Sequence, residues 1–90
     1  MANTFVYNGF ITEVKKSNIT VRELNKIKRA ILDIGNQPLK WLVFTGRVVP
    51  FNYRGKKLYM YRLNYKERLI FSIEDNKRII YDIVGVNDIK

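Results

Sequence analysis

The C-terminal third of the chain constrains the fold most strongly, because three apolar runs of strand length follow one another there. The runs are residues 58–63, 68–73 and 78–84, and short polar segments at 64–67 and 74–77 separate them. Each run is about six residues long and rich in Ile, Leu, Val, Tyr and Phe, which is typical of β-strands. Connections this short join antiparallel neighbours. The sequence therefore predicts a three-stranded antiparallel meander.

Alternation within these runs predicts the face on which each side chain lies, because successive strand residues point to opposite faces. Met60 and Arg62 should share one face, and Tyr59 and Tyr61 the other. We expect the preceding part of the chain to cover one face of the meander and leave the other available. In each of the other two runs, large apolar or aromatic residues recur at every second position and should share a face. These are Leu69, Phe71 and Ile73 in the second run, and Ile79, Tyr81 and Ile83 in the third.

Two interpretations compete for the segment after a predicted first strand at residues 4–7. Asn8-Gly9 lies between apolar residues and is a strong hairpin signal, which would make Phe10–Val14 a second strand. Alternatively, Phe10, Ile11 and Val14 would line one face of a short helix. The pattern of residues alone slightly favours the hairpin.

A helix is predicted over residues 21–34. Thr20 and Glu23 have the spacing of a capping box at its start. Gly35 suits the left-handed position after the helix, and Pro38 would prevent its continuation. The apolar residues recur at helical spacing and should pack on the sheet: Leu24, Ile27, Ile31 and Ile34.

The segment between this helix and the meander carries weaker signals. Leu39–Phe44 is expected to be a short strand or an irregular crossover. Gly46, Pro50 and Gly55 interrupt the next stretch, so residues 45–55 are expected to form a loop.

Length and composition predict a single domain over residues 1–90 and exclude several kinds of site. The chain has no cysteine and no histidine, so disulfides, thiolate catalysis and the commonest zinc ligands are excluded. No metal or other cofactor is predicted. No apolar run approaches the ~20 residues that span a bilayer, and no signal-peptide pattern opens the chain. We therefore expect a cytoplasmic protein that does not bind membranes.

The positive charge is concentrated in the middle of the chain. The net charge is +9, and residues 40–68 contain eight basic residues against one acid, Glu67. Such a concentration attracts polyanions, and nucleic acid is the first candidate. The alternatives are an acidic protein partner or a solvated basic surface.

Basic and aromatic residues alternate in this region, a combination that suits single-stranded RNA. Arginine binds phosphate through a planar fork, and aromatic rings stack on unpaired bases. RNA cleavage without histidine is chemically permitted if a lysine of lowered pKa takes the 2′-hydroxyl proton, and clustering lowers lysine pKa values. Lys56, Lys57 and Lys66 are candidates. The full set is Arg47, Arg54, Lys56, Lys57, Tyr59, Tyr61, Arg62, Tyr65, Lys66 and Arg68.

Four segments of the meander form a family-like pattern: Tyr59-Met60-Tyr61-Arg62-Leu63, Glu67-Arg68-Leu69-Ile70-Phe71, the acidic turn Glu74-Asp75, and the final apolar run that ends at Gly85. In these segments the meander resembles that of the RelE/ParE superfamily of bacterial type II toxins. The resemblance implies an α+β fold in which an N-terminal strand and two helices pack on a twisted antiparallel sheet with a C-terminal meander. It therefore favours a helix over the hairpin for residues 10–16.

The resemblance also implies a function. Toxins of the ribosome-dependent branch are metal-independent endoribonucleases that cleave mRNA on the ribosome and are neutralised by an acidic antitoxin. Arg68 matches the family arginine that contacts the scissile phosphate, and Arg62 matches a basic position on the preceding strand. Lys66 is the candidate base. The further RNA-binding candidates are Arg47, Arg54, Lys56, Lys57, Tyr59 and Tyr61.

Two alternatives remain open from the same resemblance. Met60 falls where several members have lysine, and residues 86–90 lack the tyrosine, histidine or arginine that complete the site in active members. This difference favours a ParE-like inhibitor of DNA gyrase that is not an enzyme. The other alternative is an inactive RNA- or protein-binding module of the same fold.

Overall fold

One mixed sheet holds the six strands of the described residues, in the order β1-β2-β6-β5-β4-β3. The computed structural model describes residues 3–7, 10–15, 18–75 and 77–88. The elements are β1 Asn3–Tyr7, β2 Phe10–Val14, α1 Val21–Asn36, α2 Leu39–Phe44, β3 Val48–Tyr53, β4 Lys56–Arg62, β5 Glu67–Glu74, β6 Lys77–Gly85 and a 3-10 turn at Val86–Asp88. The predicted α+β class is confirmed.

The predicted meander is confirmed, with β4, β5 and β6 as successive antiparallel neighbours. Tyr59 lies opposite Phe71, and Tyr61 lies opposite Leu69. Directly opposed residues share a face, so these four side chains point to the same side of the sheet. Alternation then places Met60 and Arg62 on the other side, as predicted.

A β-bulge changes the predicted face pattern of β6. Phe71 lies opposite Ile80, whereas Ile70 lies opposite Asp82, so Tyr81 is an extra residue in β6. A bulge turns successive residues to the same side. Tyr81 therefore shares a face with Ile79 but not with Ile83, and the predicted single face for all three is wrong.

The N-terminal segment forms a hairpin in which β1 and β2 pair antiparallel. The helix that the resemblance favoured for residues 10–16 is therefore wrong over Phe10–Val14. The predicted turn at Asn8-Gly9 lies outside the described residues. β2 also pairs with β6, and this pair is parallel, so the predicted purely antiparallel sheet is mixed instead. A parallel pair needs a long crossover, which α1, α2 and the strands β3 to β5 supply.

Helix α1 begins as predicted but ends later. The Thr20 hydroxyl accepts from the Glu23 backbone N–H at 3.1 Å, and the Glu23 carboxylate accepts from the Thr20 N–H at 3.1 Å. The helix continues through Gly35 to Asn36, so the predicted left-handed role for Gly35 is wrong. Gln37 is extended, which is the conformation favoured before a proline such as Pro38.

Residues 39–55 are more regular than predicted. Leu39–Phe44 is a short helix, α2, and the predicted loop at residues 45–55 contains strand β3. Pro50 is tolerated because β3 is an edge strand. On its outer side no neighbouring strand needs a hydrogen bond from a backbone N–H, so the missing N–H of proline costs no pairing there. Arg54 and Gly55 both have positive φ, at 51° and 78°, as a two-residue type I′ hairpin requires.

The core lies between the two helices and one face of the sheet. Ile27, Ile31 and Leu42 contribute from the helices. Strand residues opposite them are Val14, Val48, Tyr61, Leu69, Phe71 and Ile80. Because both helices join this one core, the opposite sheet face carries no helix in the described part of the chain. We call it the open face. Within the same residues, neither helix is long and apolar enough to cross a membrane.

Candidate nucleic-acid interface

Three arginines occupy adjacent positions across one end of the sheet. The Arg62 N–H donates to the Arg47 carbonyl oxygen at 2.9 Å, at the start of β3. On the other side of β4, Arg62 is the register partner of Arg68 at the start of β5. We call Arg47, Arg62 and Arg68 the arginine row. All three were predicted as site residues, and the structure brings them together.

None of the described acids forms an ion pair with Arg62 or Arg68. Arg62 is exposed and makes no ion pair with any described residue. The Arg68 guanidinium donates to two neutral carbonyl oxygens, at 2.6 Å to Asn64 and 3.0 Å to Glu67. Like charges directly opposed on neighbouring strands destabilise a sheet. A bound anion between Arg62 and Arg68 would relieve that repulsion.

The Arg47 side chain points away from Arg62 and Arg68 and forms an ion pair with the carboxylate of Asp33 on α1. Its guanidinium donates to Asp33 at 2.9 and 3.1 Å. The Asp33 carboxylate also accepts from the Tyr61 hydroxyl and from Gln37. Burial, together with the hydrogen bond to Asp33, holds the Tyr61 pKa well above its usual value. Asp33 therefore orients Arg47 and ties the end of β4 to α1.

A groove of about 830 Å³ opens beside the row, on the helix side of the sheet. Arg62 lies at its border, so the groove and the Arg62–Arg68 pair are continuous. Its volume lies in the range of roughly 300–1,000 Å³ that is typical of ligand sites. The lining residues are Asp33, Thr45, Arg47, Tyr61, Arg62, Leu63, Asn64 and Tyr65.

Tyr59 and Tyr61, predicted to stack on bases, both lie on the helix-covered face. Tyr61 is buried, at 9% exposure. Tyr59 is half-buried and stacks on Phe71, with ring centroids 5.5 Å apart. The Lys57 ammonium lies 5.7 Å from the centre of the Tyr59 ring. Their RNA-binding role stays a prediction, and neither ring shares a face with Arg62 and Arg68.

The other predicted cations occupy two separate places. Lys66 follows Tyr65 in the β4–β5 connection, close to the arginine row, and its ammonium lies 5.5 Å from the Tyr65 ring centre. Arg54 and Lys56 lie at the opposite end of β4. The seven residues of β4 separate the two ends by roughly 20 Å, at about 3.3 Å per residue.

Lys56 belongs to a hydrogen-bonded chain on the open face that the sequence did not predict. Its ammonium donates to the Tyr81 hydroxyl at 2.6 Å, and that hydroxyl lies 3.2 Å from the Ser72 hydroxyl. The hydrogen bond to Tyr81 raises the pKa of Lys56, so the predicted lowering is wrong. Burial acts to raise the Tyr81 pKa, but hydrogen bonds from Lys56 and Ser72 outweigh it and leave the pKa below its usual value.

A second depression, of about 420 Å³, lies on the open face near β2 and β6. Glu13 and Lys77 form an ion pair there at 2.9 Å, and Lys15 lies 3.6 Å from the same carboxylate. The hydrogen bond from Lys77 lowers the pKa of Glu13. Glu74 and Asp75 also line this depression, so acids outnumber bases there and it suits phosphate less well than the arginine row. No group of three or more potential metal ligands occurs among the described residues.

Comparison of this chain with protein-family models, with curated proteins and with solved structures found no match.

Proposed function

We propose that this protein binds RNA through the arginine row and acts as a toxin of the RelE/ParE kind, which cleaves mRNA on the ribosome. The observation that supports this best is the cross-strand pair of Arg62 and Arg68. Two forked cations face the same side with no acid between them, an arrangement suited to a phosphodiester. The acidic antitoxin belongs to the same proposal, because a net charge of +9 favours an acidic partner.

The proposed reaction needs no metal. The 2′-hydroxyl oxygen attacks the adjacent phosphorus, the bond from phosphorus to the 5′-oxygen breaks, and a cyclic phosphate and a 5′-hydroxyl result. Arg62 and Arg68 would stabilise the charge that builds up on the phosphate oxygens. Lys66 is the proposed base for the 2′-hydroxyl proton, and water would protonate the leaving oxygen.

One observation favours a second candidate, an inactive RNA-binding module. Glu67 is the nearest carboxylate in sequence to Arg68, and it is held by hydrogen bonds from Lys26 and Asn64. These bonds lower its pKa, Lys26 having the larger effect, so Glu67 is a weak base. The chain has no histidine. A protein that grips RNA without cleaving it would block translation by occupancy alone.

Induced expression in bacteria, followed by primer extension on abundant mRNAs, tests the proposal. We expect growth arrest and new 5′ ends within translated regions. Arg68→Ala should reduce cleavage by roughly 100-fold or more, because one donor to a developing oxyanion contributes that much. Arg29→Ala is the matched control, since Arg29 is exposed on α1.

Three outcomes would distinguish the candidates. Arrest with intact mRNA and normal DNA supercoiling would favour the binding module. Arrest with impaired supercoiling would favour a gyrase inhibitor. Undiminished cleavage by a folded Arg68→Ala variant would exclude Arg68 from the mechanism.

A further inference from the structure

We propose that the groove beside the arginine row binds one unstacked nucleobase of single-stranded RNA, with Tyr65 as the stacking surface. The inference rests on the proposed RNA binding and adds a specific subsite to it. Tyr65 lines the groove and is 72% exposed, which is high for a residue type of intermediate burial such as tyrosine. An exposed ring beside Arg62 and Arg68, which form no ion pair with a described residue, is suited to a base whose phosphate these two arginines hold.

The loop that carries Tyr65 is held in place by hydrogen bonds. The Asn64 side-chain oxygen accepts from the backbone N–H groups of Lys66 and Glu67, at 2.8 and 2.9 Å. The Leu63 N–H donates to the Glu67 carbonyl at 3.2 Å, and Arg68 donates to the Asn64 carbonyl. Because these bonds fix the backbone on both sides of Tyr65, the loop that carries the ring has little backbone entropy to lose on binding.

The groove and the phosphate site are adjacent. Arg62 lines the groove and is also the register partner of Arg68. If a phosphate of an RNA strand lies between these two arginines, a neighbouring base can therefore reach around the end of β4 towards Tyr65. Lys66, 5.5 Å from the Tyr65 ring centre, adds a further cation at that edge.

The polar groups in the groove indicate stacking without strong base selection. Asp33 is the acidic group there, and its carboxylate already accepts from Tyr61, Arg47 and Gln37. The Thr45 hydroxyl donates to the Leu42 carbonyl. Since these groups are engaged, few remain to read the edge of a base. We therefore expect all four bases to bind with similar affinity, with the larger purines favoured by stacking area.

An acidic peptide is the rival occupant of this groove. It would explain the arginines but not the exposed Tyr65 ring, which offers a flat surface and no positive charge. RNA accounts for both features, and we therefore assign the groove to RNA.

Fluorescence anisotropy with a labelled single-stranded RNA hexamer tests the assignment with the full chain. We expect Tyr65→Leu to weaken binding about tenfold, because stacking on an aromatic ring contributes that order of affinity. Tyr65→Phe should bind like the wild type. Trp41→Leu is the matched control, because Trp41 is an aromatic residue that is 52% exposed on α2 and does not line the groove. A photoreactive uridine in the hexamer should crosslink to Tyr65.

The failure of this inference can be separated from the failure of the proposed function. Binding that falls with Arg62→Ala but not with Tyr65→Leu would overturn the groove assignment and leave RNA binding intact. A poly-glutamate peptide that perturbs the NMR signals of the groove, where RNA does not, would reassign it to an acidic protein. Absence of any RNA binding by the wild-type chain would overturn both proposals.

Discussion

Asp33 holds together the end of α1, the end of β4 and the loop before β3. It accepts from Tyr61 on β4, from Arg47 before β3 and from Gln37 after α1. Tyr61 also contributes its ring to the core. A single carboxylate therefore positions Arg47 in the arginine row, and the groove depends on it for its shape.

The Tyr61 hydroxyl makes the free energy of unfolding fall as the pH rises into the alkaline range. Its pKa is raised above the usual 10.0 by burial and by Asp33, so the folded state keeps a proton that the unfolded state loses. The stabilisation is complete below about pH 10 and is lost as pH rises above it, by at most about 1.4 kcal/mol per pH unit. Urea unfolding at about pH 8 and about pH 11 should show this loss in the wild type.

Tyr61→Phe should remove most of that pH dependence, although it costs about 1 kcal/mol at neutral pH through the lost hydrogen bond. Tyr53→Phe is the control, since Tyr53 is exposed and should leave the dependence unchanged. An identical alkaline loss in the Tyr61→Phe variant would show that another group is responsible.

Among the elements, α2 is attached to the core mainly through Leu42, with Leu39 partly buried against the same core. Leu42 is its one buried residue, and it is fully buried. Trp41 and Phe44 stack on each other with ring centroids 5.8 Å apart, but they are 52% and 82% exposed. The larger rings therefore contribute less to folding than the smaller leucine does.

Leu42→Ala should lower the free energy of unfolding by about 2–5 kcal/mol, because it removes buried methyl groups and leaves a cavity. Phe44→Ala should change it by no more than about 0.5 kcal/mol, as is usual for exposed positions. Chemical denaturation of both variants measures the difference. A larger loss for Phe44→Ala would mean that the ring stack, and not Leu42, anchors α2.

At the scale of the whole molecule, two of its basic groups lie at opposite ends of β4. The arginine row lies at one end, and Arg54 and Lys56 lie at the other. A strand of RNA that followed β4 across the open face would meet both groups.

RNA binding should weaken linearly with salt on a double-logarithmic plot, since each neutralised phosphate releases counterions. Arg62→Ala should reduce the magnitude of the slope by about 0.7, the value for one contact with a single strand. Arg29→Ala should leave the slope unchanged. Anisotropy titrations between roughly 50 and 200 mM salt give these slopes. An unchanged slope for Arg62→Ala would remove Arg62 from the phosphate contacts.

Local sequence determined the elements whose signals lie within a few residues of one another. The capping box of α1, the alternation of β4 and β5, and the short connections of the meander were all predictable, because each depends on neighbouring residues alone. Arg62 and Arg68 were assigned from the resemblance of the meander, and the short connection between β4 and β5 places them opposite each other.

Tertiary structure decided the features that depend on distant partners. Pro50 could lie in a strand because β3 is at the sheet edge, and the parallel pairing of β2 with β6 joins segments more than sixty residues apart. The bulge that turns Tyr81 towards Lys56 arises from the register between β5 and β6. Arg47 lies in the arginine row because its carbonyl oxygen accepts a hydrogen bond from the Arg62 backbone N–H. The residue pattern of a strand specifies which of its faces is buried. Which distant strand it pairs with, and where a bulge forms, depends on segments far away in the sequence.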